Sequence, residues 1–264
     1  MKTTRQKKIS YLQPDWTAER PITAGFTTRH GGVSRAPFNS LNLGTNTGDN
    51  PANVEANRAA LARAFDLPEH LLLTVNQVHG SRVLAINEPN FDLSHFQKVA
   101  SDAIVTNQSG ILVGILVADC YPVILYDPEA HVAGIVHAGW QGAAAGLIGQ
   151  TVQTMQELFG CRAGRLQAAI GPGIGAHKYE VDRPVRDAFR SGSNQWSRIA
   201  CETRLGHWQL DLGLSCLLQL EKAGVARDAV DVVTECTCCH QEKFFSYRRD
   251  QGRTGRQIGF VLLQ

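Results

Sequence analysis

The longest apolar run in the chain, Ile111 to Ala118 (ILVGILVA), is followed almost at once by two more, Pro122–Tyr126 and Val132–Val136. The first is far shorter than the roughly 20 residues a membrane-crossing helix needs, so it reads as a buried strand. Strands this close together favour mixed sheets covered by helices over a strict βαβ winding. Ile22–Thr28, Arg82–Ile86, Leu166–Ile170, Val230–Thr234 and Ile258–Leu263 read as strands too. They are rich in Val, Ile and Leu and bounded by Gly, Asp or Pro.

Three helices stand out. One begins at Asn50-Pro51, a capping residue followed by proline at the first helical position, and runs to about Phe65 with Val54, Leu61 and Phe65 on one face. A second spans about Gln141 to Phe159, with Leu147, Ile148, Val152, Met155 and Phe159 at helical spacing. The third, Leu212 to Lys222, stops at Ala223-Gly224, where glycine suits a helix end.

A chain of 264 residues, 43% hydrophobic and 19% charged, can bury a sizeable core and is not a disordered polymer. No repeat, low-complexity tract or long Pro/Ser linker divides it. The expected organisation is a partly ordered N-terminal extension over 1–20 and a single domain over 21–264. Lys2, Arg5, Lys7 and Lys8 are expected on a frayed, solvated terminus. A net charge of +2 gives no electrostatic reason to expect nucleic acid or an anionic membrane as partner. The first thirty residues, interrupted by charges, Pro14 and Pro21, hold no apolar stretch of the secretory kind. Seven scattered cysteines, an odd number, suit a reduced cytoplasmic protein better than a disulfide scaffold.

The informative polar residues sit where strands give way to turns, the edges at which open α/β architectures place ligands. His79 lies in Asn76-Gln77-Val78-His79-Gly80, Cys120 in Ala118-Asp119-Cys120, and His137 in Val136-His137-Ala138-Gly139-Trp140. Two imidazoles and one thiolate suit Zn²⁺, with a fourth position open to water or substrate. Their intervals, 120 − 79 = 41 and 137 − 120 = 17 residues, match no local metal motif. Spacing alone therefore leaves three readings open: a metal site, a Cys120 nucleophile activated by His137, or residues that never meet. Asp119 is either an acceptor that orients a ligand or a turn cap. The cluster Cys236-Thr237-Cys238-Cys239-His240 lacks the paired Cys-x-x-Cys arrangement of structural zinc folds and reads as a turn with packed thiols.

Three further segments suit anions or close backbone approach. Thr27-Thr28-Arg29-His30-Gly31-Gly32 places an arginine beside a turn. Gly171-Pro172-Gly173-Ile174-Gly175 is neither a dinucleotide fingerprint nor a P-loop, and reads as a loop. Phe244-Phe245-Ser246-Tyr247-Arg248-Arg249-Asp250 combines aromatics with arginines, the residue suited to bidentate binding of phosphate or carboxylate.

Read in order, the segments form a series. Thr28-Arg29-His30-Gly31-Gly32-Val33-Ser34, Ser40-Leu41-Asn42-Leu43-Gly44, Gly48-Asp49 and Asn57-Arg58 come first. Asn76-Gln77-Val78-His79-Gly80, Asp102-Ala103, Ala118-Asp119-Cys120-Tyr121-Pro122-Val123 and His137-Ala138-Gly139-Trp140-Gln141-Gly142 follow. Gly171-Pro172, Tyr179-Glu180-Val181, Cys236-Thr237, Phe245-Ser246-Tyr247-Arg248-Arg249 and Thr254-Gly255-Arg256 complete it. From about Gly25 to Leu263 the series resembles the laccase-domain, or polyphenol-oxidase-like, family, whose members are regarded as purine nucleoside phosphorylases.

The resemblance implies a single-domain mixed α/β fold, an α/β/β/α sandwich with mixed sheets. It implies a zinc ion held by His79, Cys120 and His137, and phosphorolysis of adenosine, inosine and methylthioadenosine with adenosine deamination besides. The partners would be a purine nucleoside and inorganic phosphate, met by a monomer or homodimer. Arg29 falls in the family's arginine motif and is the candidate catalytic and phosphate contact, with Asn42 and Arg248 as further substrate contacts. The chain departs from the family at Ala176-His177-Lys178, where members often carry Pro-Cys-Cys. An older label, multicopper laccase, suits the residues badly. Such enzymes need about ten histidines, many in His-x-His pairs; this chain has nine and no such pair, although adventitious Cu²⁺ would fit a His/Cys site. Relatives are also described as peptidoglycan-editing factors, which makes a cysteine-dependent amidase, with Cys120 as nucleophile and His137 as base, the rival expectation. A zinc-binding protein without catalysis is a third.

Overall fold

The computed structural model describes residues 1–88, 96, 98–192 and 195–264. The first strands are β1 (Lys2–Gln6), β2 (Ile9–Gln13), β3 (Ile22–Thr27), β4 (Leu72–Thr74) and β5 (Val83–Ile86). Next come β6 (Ala103–Thr106), β7 (Leu112–Val117), β8 (Tyr121–Asp127), β9 (Val132–Ala138) and β10 (Gln167–Ile170). The last are β11 (Glu180–Asp182), β12 (Ala200–Arg204), β13 (His207–Leu210), β14 (Val230–Val232) and β15 (Gln257–Leu263). The α-helices lying wholly within the described residues include α1 (Pro51–Ala64), α2 (Trp140–Ala144), α3 (Leu147–Phe159), α4 (Arg183–Gly192), α5 (Trp196–Ile199) and α6 (Leu212–Lys222).

Two six-stranded sheets, ordered β1-β2-β3-β15-β7-β4 and β14-β10-β8-β9-β6-β5, carry the fold, with a small third sheet β11-β13-β12 beside them. Alternation along a strand decides which layer each side chain enters. On β8, Ile124 and Tyr126 join Phe26, Ile115 and Val117 in the core between the two large sheets. Val123 and Leu125 instead meet Ile148, Val152 and Met155 of α3 and Cys216 of α6. On the far side, Ile258 and Phe260 of β15 pack with Leu61 of α1 and with Tyr11. The order of layers is helix, sheet, sheet, helix. Each Val, Leu or Ile so buried contributes about 1.5–3 kcal/mol of transfer free energy.

α1 starts as its sequence dictates: the Asn50 side chain accepts the Ala52 N–H at 2.9 Å, with Pro51 at the first position. The helix expected from Gln141 to Phe159 is two helices. Gly146 takes φ 76°, a left-handed conformation that ends α2 and re-aims the chain into α3.

Residues 1–20, expected as a partly ordered extension with a frayed basic end, form a paired hairpin from Lys2 to Gln13. β1 pairs antiparallel with β2 from Lys2↔Gln13 to Gln6↔Ile9, and β2 joins β3 at Tyr11↔Thr27 and Leu12↔Phe26. Ile9, Tyr11 and Leu12 are buried, and Tyr11 packs edge-on against Phe65 and Phe260 at 5.7 and 5.4 Å. The apolar residues of β2 carry this hairpin; the charges of Lys2, Arg5, Lys7 and Lys8 disguise it in the sequence.

A candidate metal centre at the seam between the sheets

The chain passes between the two large sheets at 75–82 (β4 to β5), at 107–111 (β6 to β7), at 118–120 (β7 to β8) and at 233–256 (β14 to β15). The passages at 75–82, 118–120 and 233–256 line one cavity of about 1350 Å³. His79, Cys120 and His137 lie on its wall. One donor atom from each lies within 4.8 Å of the others, and the two imidazoles meet edge-to-face at 4.7 Å.

The turn holding His79 is built on a carboxylate. Asp102, fully buried, accepts the backbone N–H of Val78 (3.2 Å), His79 (3.0 Å) and Gly80 (2.7 Å). The same carboxylate accepts Nδ1–H of His137 at 2.8 Å, and the Asp102 carbonyl accepts the His137 N–H at 2.7 Å. One side chain therefore fixes the tautomer of one imidazole and the loop that carries the other, the outer-shell arrangement that orients metal-ligating histidines. It also holds His79 at φ 56°, a conformation an unsupported L-residue avoids.

Asp119, at φ 88°, accepts Thr237 Oγ1–H at 2.6 Å and the Arg248 N–H at 2.7 Å. It ties Cys120 to the 237–248 segment, so the orienting carboxylate for the histidines is Asp102 instead. Gly139 closes the other side: a Cβ there would lie 2.9 Å from His79 Nδ1 and 3.2 Å from Cys120 Sγ.

The charges reinforce one another. Burial alone would push the Cys120 thiol up, but His137 and His79, as charges and as hydrogen-bond donors to the sulfur, bring it down to about 6. Burial would push His137 down, yet the Cys120 thiolate and the Asp102 carboxylate raise it to about 9. Without a metal this pair is a thiolate beside an imidazolium. His79, Cys120 and His137 would offer a divalent ion two imidazoles and a thiolate in place of the shared proton, a donor set that fits a three-ligand site with an open position.

Three guanidiniums reach the same cavity. Arg58 bonds the Leu43 carbonyl and Thr74 Oγ1, Arg248 the Lys178 and Glu180 carbonyls, and Arg256 the Thr254 and Gly255 carbonyls. All of these partners are neutral oxygens. Burial therefore lowers the proton affinity of Arg58 and Arg256, opposed for Arg58 only by Glu69 and for Arg256 by Cys120, Tyr247 and Asp119. Arg248 lies over the Tyr179 ring at 5.2 Å and Arg256 over Tyr247 at 5.7 Å.

Of the residues expected at the site, His79, Cys120, His137 and Arg248 share the cavity. Arg29 does not line it. Its guanidinium bonds the Asn39 and Gln241 carbonyls at 2.7 and 2.8 Å, stacks on Phe245 at 4.6 Å, and lines a separate pocket with Arg249 and Arg253. Asn42 is wholly buried and committed to its own loop, bonding Thr47, Asp49, Gly44 and the Arg256 N–H. It shapes the cavity rim from behind. Gly171 to Gly175 serves close approach: a Cβ on Gly173 would lie 2.5 Å from the Tyr121 ring. Asp102, Arg58 and Arg256 carried no expected role. Their only signal was membership of the motif series, since nothing local marks a carboxylate as an outer-shell ligand.

The family model described as multi-copper polyphenol oxidoreductase laccase matches residues 23–264. The chain belongs to this family. Within it, the purine nucleoside phosphorylase of Deinococcus radiodurans is 43% identical over 242 residues, covering 91% of this chain and 88% of its own. The purine nucleoside phosphorylase YlmD of Geobacillus stearothermophilus is 36% identical over 244 residues, covering 90% and 89%. The crystal structure of YlmD from that organism superimposes with a TM-score of 0.89 at 34% identity over 99% of this chain and 98% of its own. A Bacillus licheniformis hypothetical protein, YfiH, superimposes with a TM-score of 0.91 at 31% identity over 98% of each. The family's laccase description asks for a histidine-rich copper cluster, which nine histidines without a His-x-His pair do not provide.

Proposed function

We propose that this chain is a zinc-dependent purine nucleoside phosphorylase acting on adenosine, inosine and methylthioadenosine, with adenosine deaminase activity at the same site. The observation that carries the reading is one cavity holding both the His79–Cys120–His137 donors and three arginines bonded to neutral oxygens. The relatives named purine nucleoside phosphorylases support it.

In phosphorolysis a phosphate oxygen bonds to the ribose C1′ as the C1′–N9 bond breaks, and that bond's electron pair leaves on the purine. The nucleophile is an anion approaching a sugar, so the protein's task is mainly positioning and charge compensation. Arg58, Arg248 and Arg256 fit that task, Arg58 and Arg256 as desolvated cations and Arg248 as an exposed one, all with hydrogen-bond partners that carry no charge. Tyr179 and Tyr247 hold two of those guanidiniums in place and present ring faces to a base. His79, Cys120 and His137 would hold Zn²⁺, which supplies Lewis-acid polarisation and water activation when bound. Asp102 keeps the two imidazoles in register.

Incubation of inosine or adenosine with phosphate should yield free base and ribose-1-phosphate. Arg256→Ala should raise the KM for phosphate tenfold or more, and adenosine without phosphate should yield inosine. A zinc-replete protein that releases no base would sink the reading.

One observation favours a second reading. Cys120, His137 and Asp102 stand in the order of a nucleophile, base and orienting carboxylate. This would make the chain a cysteine-dependent amidase. Iodoacetamide discriminates: a nucleophilic Cys120 is alkylated in the protein as isolated, whereas a zinc-bound thiolate is protected until a chelator is added.

A further inference from the structure

A second set of metal donors lies on the other side of the wall that carries Tyr179 and Arg248. His177, Cys236 and Cys239 each place a donor atom within 4.8 Å of the other two. Cys236 and Cys239 form a single Cys-x-x-Cys in a turn whose Cys239 and His240 N–H groups both bond the Cys236 carbonyl. That spacing lets two sulfurs converge, as in zinc knuckles. The third donor comes from a distant segment: His177 Nε2 lies 3.2 Å from Cys239 Sγ across 62 residues of sequence. The Gly175 N–H also points at Cys236 Sγ at 3.1 Å, the backbone donor that a metal-bound thiolate sulfur accepts.

We propose that His177, Cys236 and Cys239 bind a second zinc ion, structural in role and independent of the nucleoside reading. Two thiolates and an imidazole are soft donors that select zinc over the hard divalent cations. Cys239 and His177 are exposed, so an ion can enter and a fourth ligand can be water. The purpose follows from what the donors join. His177 sits in the turn Ala176–Lys178, which runs directly into Tyr179, and the Lys178 carbonyl accepts Arg248 Nη1–H. Cys236 precedes Thr237, whose hydroxyl bonds Asp119 beside Cys120. An ion here fastens the 176–180 segment to the 236–239 turn and so fixes one wall of the cavity without entering it.

Zinc content per chain tests this on the full protein. Purified wild type and Cys239→Ala, both kept in a thiol-free reductant, should differ by one equivalent. Cys120→Ala should keep the equivalent that Cys239→Ala loses. Cobalt(II) loaded into Cys120→Ala should show thiolate-to-metal charge-transfer absorption with tetrahedral ligand-field bands, and His177→Ala should weaken it. Because Cys239 and His177 are exposed, neither change threatens folding. Equal zinc in wild type and Cys239→Ala overturns the proposal. So does a Cys120→Ala protein that holds no zinc, whether its sulfurs are free or joined in a disulfide.

Discussion

At the scale of single residues, Asp102 carries more of the site than any donor. It accepts three backbone N–H groups and one imidazole N–H. In Asp102→Asn the amide must present N–H groups where only acceptors are needed, and the tautomer of His137 is no longer fixed. Zinc affinity should fall about 10–100-fold, read by competition with a chromogenic chelator; unchanged affinity would show that the carboxylate orients nothing. Cys120 has its own signature. A thiol held near 6 is mostly thiolate at neutral pH and loses that character as pH falls through 6. In metal-stripped protein, Cys120 alkylation followed by mass spectrometry should therefore show a midpoint near 6 rather than the ordinary value of about 8.5. In His137→Ala the midpoint should move upward. His79, Cys120 and His137 were legible as residue types at strand ends, and their convergence was not. Intervals of tens of residues tell nothing about proximity until a sheet order is known. Arg29 lines a pocket apart from these donors, a separation that an arginine beside a glycine turn does not reveal in the sequence.

At the scale of elements, short apolar runs bounded by turn residues were easy to read, and β3, β7, β8, β9 and β15 fall where the pattern puts them. β4, β6 and β11 have three or four residues each, too few for any periodicity to rise above chance. The β1–β2 hairpin was hidden by lysines and arginines on residues that face water. Its importance can be measured: Tyr11→Ala removes a ring packed between Phe65 and Phe260. The cost should be about 3–5 kcal/mol in urea unfolding. A loss under 1 kcal/mol would mean that the N-terminal strands merely decorate the sheet.

At the scale of the whole molecule, ligand binding and folding are linked, because the donors exist as a set only in the folded chain. Free zinc at a thousandfold excess over its Kd should stabilise the protein by about 4 kcal/mol, roughly 10 °C in Tm for a chain of this size. Chelation should remove that increment, and a Tm indifferent to chelation would deny that the donors hold a metal. The layered α/β/β/α arrangement was implied by family resemblance more than by composition, since neither charge nor apolar content distinguishes a sandwich from a barrel.

The passages between layers have a mechanical meaning as well. His79 hangs from the loop after β4 of one sheet, His137 stands on β9 of the other, and Cys120 occupies the step between β7 and β8. If one sheet slides over the other, the donor triangle is distorted before any ladder hydrogen bond need break. The triangle is a strain gauge for the sandwich. Mild denaturant or hydrostatic pressure should make the protein let go of its ion while both sheets are still intact.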